Sequence, residues 1–474
     1  MQLMLHLDSA GFRPLVLEVD GTTVTCRALE NLSYVAHPVD PEHQTISLYV
    51  PEAYFHGEAI GPYTRTTAPI FLPNGVGGYM PGLPVVPGRD AWRGGANAAF
   101  EALRHGYVVA SPGARGRTSQ DAEGRLVGKA PACIVDLKAA VRFLRANRDV
   151  LPGNTERIVS NGTSAGGALS ALLGASGNHP AFEAELLAAG AARERDDVFA
   201  ASCYCPITNL EHADMAYEWQ FHGTTEAHRH VFQLRDGQPG WVPVREELRP
   251  EQQAWSAALK TLFPAYLNSL GLQKSDGSAL RLENDGRGSF ADLVAEWVRI
   301  SAQQAADEGA DLSAHAFLTW KADRIESVDL AAFAAFQTRM KPPFAFDDPA
   351  LGTPENELFG SASEPRRHFT EAARAVGGGK GGLADGDAIG CMNPMTFLHA
   401  GTGAVQAPFW RIRHGAVDRD TSMAIPVMLA TRLGNLGLDV DLALPWGVAH
   451  AGDYDLGELF AWIDARVVLA EGDC

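Results

Sequence analysis

Short apolar and alternating runs at residues 15–19, 22–26 and 45–50 are each bounded by Gly, Pro or Asp. That pattern predicts strands forming an antiparallel lead-in to a larger sheet. The run APIFLP at 68–73 is apolar without alternation, as a buried strand is, and leads directly into the glycine-rich NGVGGY at 74–79. Another strand is expected at 106–111, followed by the loop 112–117. The period then changes. Ile134, Leu137, Val141 and Leu144 recur at helical spacing, which predicts a helix over 134–148 with one face on a sheet. Ile158 and Val159 mark the next strand, Leu169, Leu172 and Leu173 the inner face of a helix over 165–175, and 199–205 a strand ending at Pro206. Strand, helix, strand, with connections long enough for crossovers, predicts a mainly parallel sheet flanked by helices.

From Ile207 to Met395 the texture differs, with amphipathic helical stripes and no clear strand. Phe290, Leu293, Val294, Trp297 and Val298 form one stripe, with Ser289 placed to cap it; Trp255, Leu259, Leu262 and Tyr266 form a second; Leu330, Phe333 and Ala334 belong to a third. The α/β texture then returns, with strands expected at 408–413 and 440–444 and helices at 421–433 and 456–467. The predicted organisation is one α/β domain made of residues 1–206 and 396–474, interrupted by a mainly helical inserted lid domain at 207–395. A chain of 474 residues is long enough for this.

Composition narrows the partners. Lys+Arg number 39 against 57 Asp+Glu, a net charge of −18, and no basic stretch interleaves with aromatics; nucleic acid is excluded on that basis. No segment holds the ~20 uninterrupted apolar residues of a membrane span, and the first residues lack the basic start and apolar run of a secretory signal, so a soluble, cytoplasmic chain is expected. The cysteines Cys26, Cys133, Cys203, Cys205, Cys391 and Cys474 are too sparse for a disulfide framework and read as reduced, buried thiols. Cys203-x-Cys205 lacks the spacing of a zinc site. GGGKGG at 377–382 is not a phosphate loop, because no Ser or Thr follows Lys380; a surface loop is expected.

The chemistry centres on Gly162-Thr163-Ser164-Ala165-Gly166, which fits G-x-S-x-G between a predicted strand and a predicted helix. In a nucleophile elbow the serine is held exposed at the top of the sheet by a tight turn that needs small neighbours. Ser164 is the candidate nucleophile. The loop after the strand 68–73 and the residue after the nucleophile would supply oxyanion donors, here Gly77 or Gly78, and Ala165. A serine hydroxyl needs a base, and the base needs an acid to orient it. His450 follows the last predicted strand. Asp418 follows the strand 408–413, where the acid of this fold belongs; Asp420 beside it fits either the N-cap of the next helix or a substrate contact. Asp439 and Asp441 read as solvated, and Asp453 and Asp455 as caps of the last helix.

The pieces PNGVGGYMPG (73–82), NGTSAGGALSALLG (161–174), WRIRHGAVDRDTS (410–422) and WGVAHAGDYD (446–455), with the central insertion, resemble the bacterial tannases, tannin acylhydrolases of the α/β-hydrolase fold. The resemblance implies hydrolysis of galloyl esters by Ser164, Asp418 and His450, without metal or organic cofactor. It also implies that the galloyl hydroxyls are gripped by Asp420, by Lys341 in RMKPPF and by Glu355 in TPENELFG, with Glu357 left open as the alternative. No adjacent-cysteine pattern surrounds the triad residues. A feruloyl or general aromatic carboxylesterase is the nearest rival, then an oligopeptidase, which would need an N-terminal repeat domain, and a hydrolase-fold binding module without activity.

Overall fold

The computed structural model describes residues 6–235 and 238–472. Its main sheet has nine strands in the order β1-β2-β3-β5-β4-β6-β7-β12-β13. The lead-in strands β1 (Arg13–Val19), β2 (Thr22–Ser33) and β3 (Thr45–Pro51) pair antiparallel with one another, and β3 pairs antiparallel with β5 (Val108–Pro112). From there the sheet is parallel, through β4 (Pro69–Pro73), β6 (Asn154–Thr163), β7 (Ala200–Tyr204), β12 (Phe409–Arg413) and β13 (Asp439–Ala443). Every residue of β3, β4, β5 and β7 is buried. Strands covered on both faces carry continuous apolar runs in place of alternation, which is why APIFLP reads as it does.

The helix expected at 134–148 spans Ala132–Ala146 and is buried on more than the face its apolar stripe marks. Its polar side is also covered, and each charge there is paired. Asp136 binds the Arg115 guanidinium at 2.7 Å, and Lys138 and Arg142 converge on Asp196 at 2.9 and 2.8 Å. Buried charges need such partners.

The inserted segment leaves from the end of β7 and returns before β12, and it contributes no strand to the nine-stranded sheet. It is not free of strands, as the sequence pattern suggested. A hairpin of β8 (Glu226–Arg235) and β9 (Gln238–Glu247) precedes its long helices, and a second of β10 (Leu318–Lys321) and β11 (Arg324–Val328) follows them. Each is an isolated two-stranded ribbon, and β8 is rich in His, Arg and Glu, so no apolar alternation marks it. The turn joining β10 to β11 has Ala322 at φ 55° where Asn-Gly would have been the recognisable signal.

Two details of the helical stripes also differ. Ser289 is the first residue of the helix Ser289–Asp307, with Gly288 as its N-cap, and its hydroxyl accepts from the Arg281 N–H of the preceding loop. Leu262 faces outward at 44% exposure, and the buried face of Pro250–Ser269 runs through Leu259, Phe263 and Leu267 instead. The glycine run 377–382 is a mostly exposed turn.

The insertion is fastened to itself by buried polar groups. Arg339 and Glu218 form an ion pair with both side chains 0% exposed. Ser256 donates to Glu218 at 2.6 Å, and Arg339 Nε donates to the Lys341 carbonyl at 2.8 Å. Asp214 accepts the N–H groups of Phe346 and Asp347, and Asp347 in turn binds His368, Asn356 and Thr370. Removing one member of a buried pair strands the other charge, at a cost of about 3–5 kcal/mol. Arg339→Met is therefore expected to destabilise the protein by about that amount in urea denaturation; a change under ~1 kcal/mol would contradict this reading of the pair.

Candidate active site

Strand β6 ends in the elbow. Ser164 stands at φ 83°, ψ −110°, and the helix Ala165–Ala175 begins immediately after it. A positive φ in a non-glycine residue is strained and persists only where the surroundings enforce it. Here they do so by close approach. A Cβ on Gly162 would lie 2.5 Å from Asn74 Nδ2, and one on Gly166 would lie 2.6 Å from Asn74 Oδ1 and 2.9 Å from the Val76 carbonyl. Asn74, in the loop after β4, donates through Nδ2 to the carbonyls of Asn161 and Gly166, both at 3.1 Å. One buried amide thus joins the glycine-rich loop to both sides of the elbow.

Ser164, His450 and Asp418 are brought together from the ends of β6, β13 and β12. Ser164 Oγ lies 2.8 Å from His450 Nε2, and His450 Nδ1 lies 2.8 Å from Asp418 Oδ2. Asp418 is fully buried. Burial alone would raise its pKa, but the charges of His414 and His450, the His450 hydrogen bond and the Asp420 N–H together hold it below the usual carboxylate value. For His450 burial works downward; Asp418 outweighs it and raises the imidazole above its ordinary value. A histidine so placed can take a proton from the serine hydroxyl, and the carboxylate stabilises the imidazolium that results.

The residues singled out beside the triad also converge. Asp420 is not a helix cap, because the next helix starts at Ala424 with Met423 as its N-cap. Its carboxylate lies 3.7 Å from both His450 Nδ1 and Lys341 Nζ, and Lys341 Nζ donates to the Asp420 carbonyl at 2.8 Å. Glu355 is buried, which raises its pKa against the opposing pull of Lys341 and Arg117. Glu357 is engaged elsewhere, in an ion pair with Arg117. Lys129 holds the short helix Pro354–Leu358 in place by donating to the carbonyls of Glu357, Arg117 and Pro365 at 2.7–3.0 Å.

A cavity of about 500 Å³ opens from Ser164 and His450. Gly77 lines it, whereas the Gly78 carbonyl accepts from Arg117 Nε and its residue is not part of the lining. Ala165 opens the helix, so its N–H is among those without an intrahelical acceptor.

Several contributors carried no sequence signal of their own. Cys205, at φ 36°, places its thiol 3.8 Å from His450 Nε2 and 3.4 Å from the Ala451 carbonyl. The cysteines among the described residues are free and buried; Cys474 lies outside them. The other late aspartates are each paired, although Asp439 and Asp441 stay partly exposed and Asp455 directly precedes the last helix, Leu456–Gly472. Asp439 pairs with Arg466, Asp441 with Arg413, Asp455 with the buried Arg411, and Asp453 accepts from Asn161 Nδ2 at 2.9 Å.

A mainly parallel sheet whose strand ends present an elbow serine, a histidine and a buried aspartate in hydrogen-bonded series defines an α/β-hydrolase. The BD-FAE family matches residues 84–231. Esterase LipC of Mycobacterium tuberculosis is 38% identical over 109 residues, a stretch covering 22% of this chain and 26% of that protein. Over almost the whole length, the chain is similar to the crystal structure of tannase from Lactobacillus plantarum (47% identity, 97% of this chain and 98% of that one, TM-score 0.93). The Fusobacterium nucleatum tannase gives 44% identity, 98% and 99% coverage and a TM-score of 0.93. A tannin acyl hydrolase in complex with ethyl gallate gives 47% identity, 97% and 98% coverage and a TM-score of 0.91. The chain belongs to the tannases, and is a carboxylic ester hydrolase.

The elbow geometry makes a direct prediction. Gly166→Ala forces a methyl group against Asn74 and the Val76 carbonyl, overpacking that typically costs about 1–3 kcal/mol. A lowered Tm together with reduced fluorophosphonate labelling of Ser164 is the expected outcome; wild-type labelling would mean that the loop yields without disturbing the serine.

Proposed function

We propose that this tannase hydrolyses galloyl esters with Ser164 as nucleophile, His450 as general base and acid, and Asp418 as the residue that orients His450. Ser164 Oγ attacks the ester carbonyl as His450 Nε2 takes its proton, and a tetrahedral oxyanion forms, facing the N–H groups of Gly77 and Ala165. Collapse of this intermediate breaks the bond to the alcohol, which leaves with the proton from His450. A water molecule then repeats the sequence on the galloyl-enzyme, releasing gallate and restoring the hydroxyl of Ser164. Donors aimed at the oxyanion are worth roughly 3–4 kcal/mol each in transition-state stabilisation.

In the same reading the galloyl ring lies among Asp420, Lys341 and Glu355. Phenolic hydroxyls donate to carboxylates, and an ammonium group donates to a phenol oxygen or favours its ionisation. The observation that carries this reading is that Lys341 Nζ, from the insertion, reaches Asp420, whose carboxylate is within 3.7 Å of the triad histidine. Glu355 is preferred to Glu357 because Arg117 already neutralises the latter. Residues 207–395 act as the lid domain that brings Lys341 and Glu355 to the sheet. A general aromatic carboxylesterase would need no such trio. Faster hydrolysis of methyl gallate than of its trimethoxy analogue is therefore expected, and equal rates would return the assignment to that class.

Two predictions follow from the electrostatics. Asp418 raises the His450 pKa above 6.5, and only neutral His450 accepts a proton, so kcat/KM for methyl gallate should climb with pH along a limb centred above pH 6.5. Asp418→Asn should lower kcat on the order of 10⁴-fold and shift that limb downward; an unmoved limb would detach Asp418 from His450. Asp420→Asn exchanges an ionised acceptor for a weaker one. Hydrogen bonds to charged groups are worth about 1.5–3 kcal/mol, which predicts a drop in kcat/KM of about 10- to 100-fold for methyl gallate. A simple ester without ring hydroxyls should be nearly unaffected; an equal loss on both would make Asp420 part of the proton-transfer machinery.

A further inference from the structure

The cavity that opens from Ser164 and His450 does not contain the residues proposed to hold the galloyl ring. Asp420, Lys341 and Glu355 are absent from its lining, which is formed by the glycine loop at 75–77, Val85, the turn carrying Asp90, Trp92 and Arg93, and the segment 450–453 that follows the last strand. His450 is therefore shared between this cavity and the neighbouring Asp420–Lys341 pair. An ester bound with its acyl ring against that pair would extend its alcohol into the cavity.

Trp92 is 92% exposed, the most exposed large apolar side chain among the described residues, and it stands at the wall of this cavity. Leu83 and Val86, at 54% and 58% exposure, lie in the same stretch of chain. The turn that carries Trp92 is built to hold one shape. The Asp90 carboxylate accepts the N–H groups of Trp92 and Arg93, both at 2.8 Å, and pairs with the Arg93 guanidinium at 2.7 Å. Gly94 and Gly95, at φ 72° and 73°, close the turn, and the Asp90 N–H donates to the Gly95 carbonyl at 2.9 Å. Arg93 also donates to the Gly452 carbonyl, two residues beyond His450. The backbone that carries the indole is thus tied to the segment following His450 through main-chain and guanidinium bonds, while the indole itself stands open.

We infer that this cavity is a leaving-group subsite for aromatic, phenol-bearing alcohols, with Trp92 as the stacking wall that sets preference for them. The inference rests on the galloyl-ester reading above. A cavity of about 500 Å³ falls in the range of sites that enclose ring-sized ligands, and a methyl or ethyl group would leave most of it unfilled. A polyphenolic alcohol fills it, offers a flat face to the indole, and has hydroxyls for the Asp90 and Asp453 carboxylates and the Arg93 guanidinium at its rim.

The test compares epicatechin gallate with methyl gallate as substrates of the wild-type enzyme and of Trp92→Ala and Trp92→Phe. Because the indole is exposed, neither replacement removes core packing. For Trp92→Ala, kcat/KM on epicatechin gallate should fall about 10-fold, chiefly through KM, the size of a lost stacking contact with its buried area. Methyl gallate should stay within about twofold, and Trp92→Phe should keep most of the preference. Free epicatechin should inhibit methyl gallate hydrolysis competitively, and Trp92→Ala should weaken that inhibition to a similar degree. Equal loss on both esters, or no loss on either, overturns the subsite while leaving galloyl-ester hydrolysis standing. Failure of the wild type to turn over methyl gallate overturns that reading itself, and the subsite with it.

Discussion

Asn74 is the contact on which the site depends. Its side-chain amide reaches the carbonyls of Asn161 before the elbow and Gly166 after it, and it can do so only because neither Gly162 nor Gly166 carries a Cβ. The strained backbone of Ser164 is held by this three-way approach of β4, β6 and the following helix. The same approach ties the loop that carries Gly77 to the turn that carries Ala165. Nucleophile and proposed oxyanion donors are consequently arranged by one constraint rather than two.

Charge is used differently in the sheet and in the insertion. Beside the sheet, Asp136 of a buried helix neutralises Arg115, and Asp196 neutralises Lys138 and Arg142 of the same helix. In the insertion, the buried Glu218–Arg339 pair lies two residues from Lys341, and Arg339 holds the Lys341 carbonyl. Asp347 and Lys129 bracket the helix that bears Glu355. Buried polar networks of this kind fix one arrangement of loops that an apolar core would leave free to slide. The two insertion residues assigned to the galloyl ring are therefore each anchored by a neighbour with no contact to substrate.

Much of this was legible beforehand, for definite reasons. The parallel strands are buried on both faces, so their apolar runs are unbroken, and G-x-S-x-G can be read because its glycines answer a steric demand made within a few residues. Asp418 and His450 are found from chain order, since the fold assigns them to the ends of particular strands. What escaped was of two kinds. The hairpins β8–β9 and β10–β11 are two-stranded ribbons outside the main sheet, and the turn at Ala322 lacks a glycine. The other kind is long-range: Asn74 acts across 87 residues to Asn161, Cys205 meets His450 only because β7 is in the same sheet, and the late aspartates find arginines that no local pattern announces. Lys341 and Glu355 were reachable only through family resemblance, because Lys341 meets Asp420, and Glu355 feels its charge, only through the tertiary arrangement of the insertion.

The division of labour between sheet and insertion has a consequence for how such an enzyme can change. Ser164, Asp418 and His450 all come from loops of the sheet, whereas Lys341 and Glu355 come from a segment that adds no strand to it. Under the proposed roles, the reacting centre and the recognition of the acyl ring lie on separable stretches of one gene. Under those roles, exchanging or remodelling residues 207–395 would redirect the enzyme to another acyl group without disturbing the atoms that move protons, provided that the newcomer leaves at β7, returns before β12 and offers its own partner to the carboxylate of Asp420.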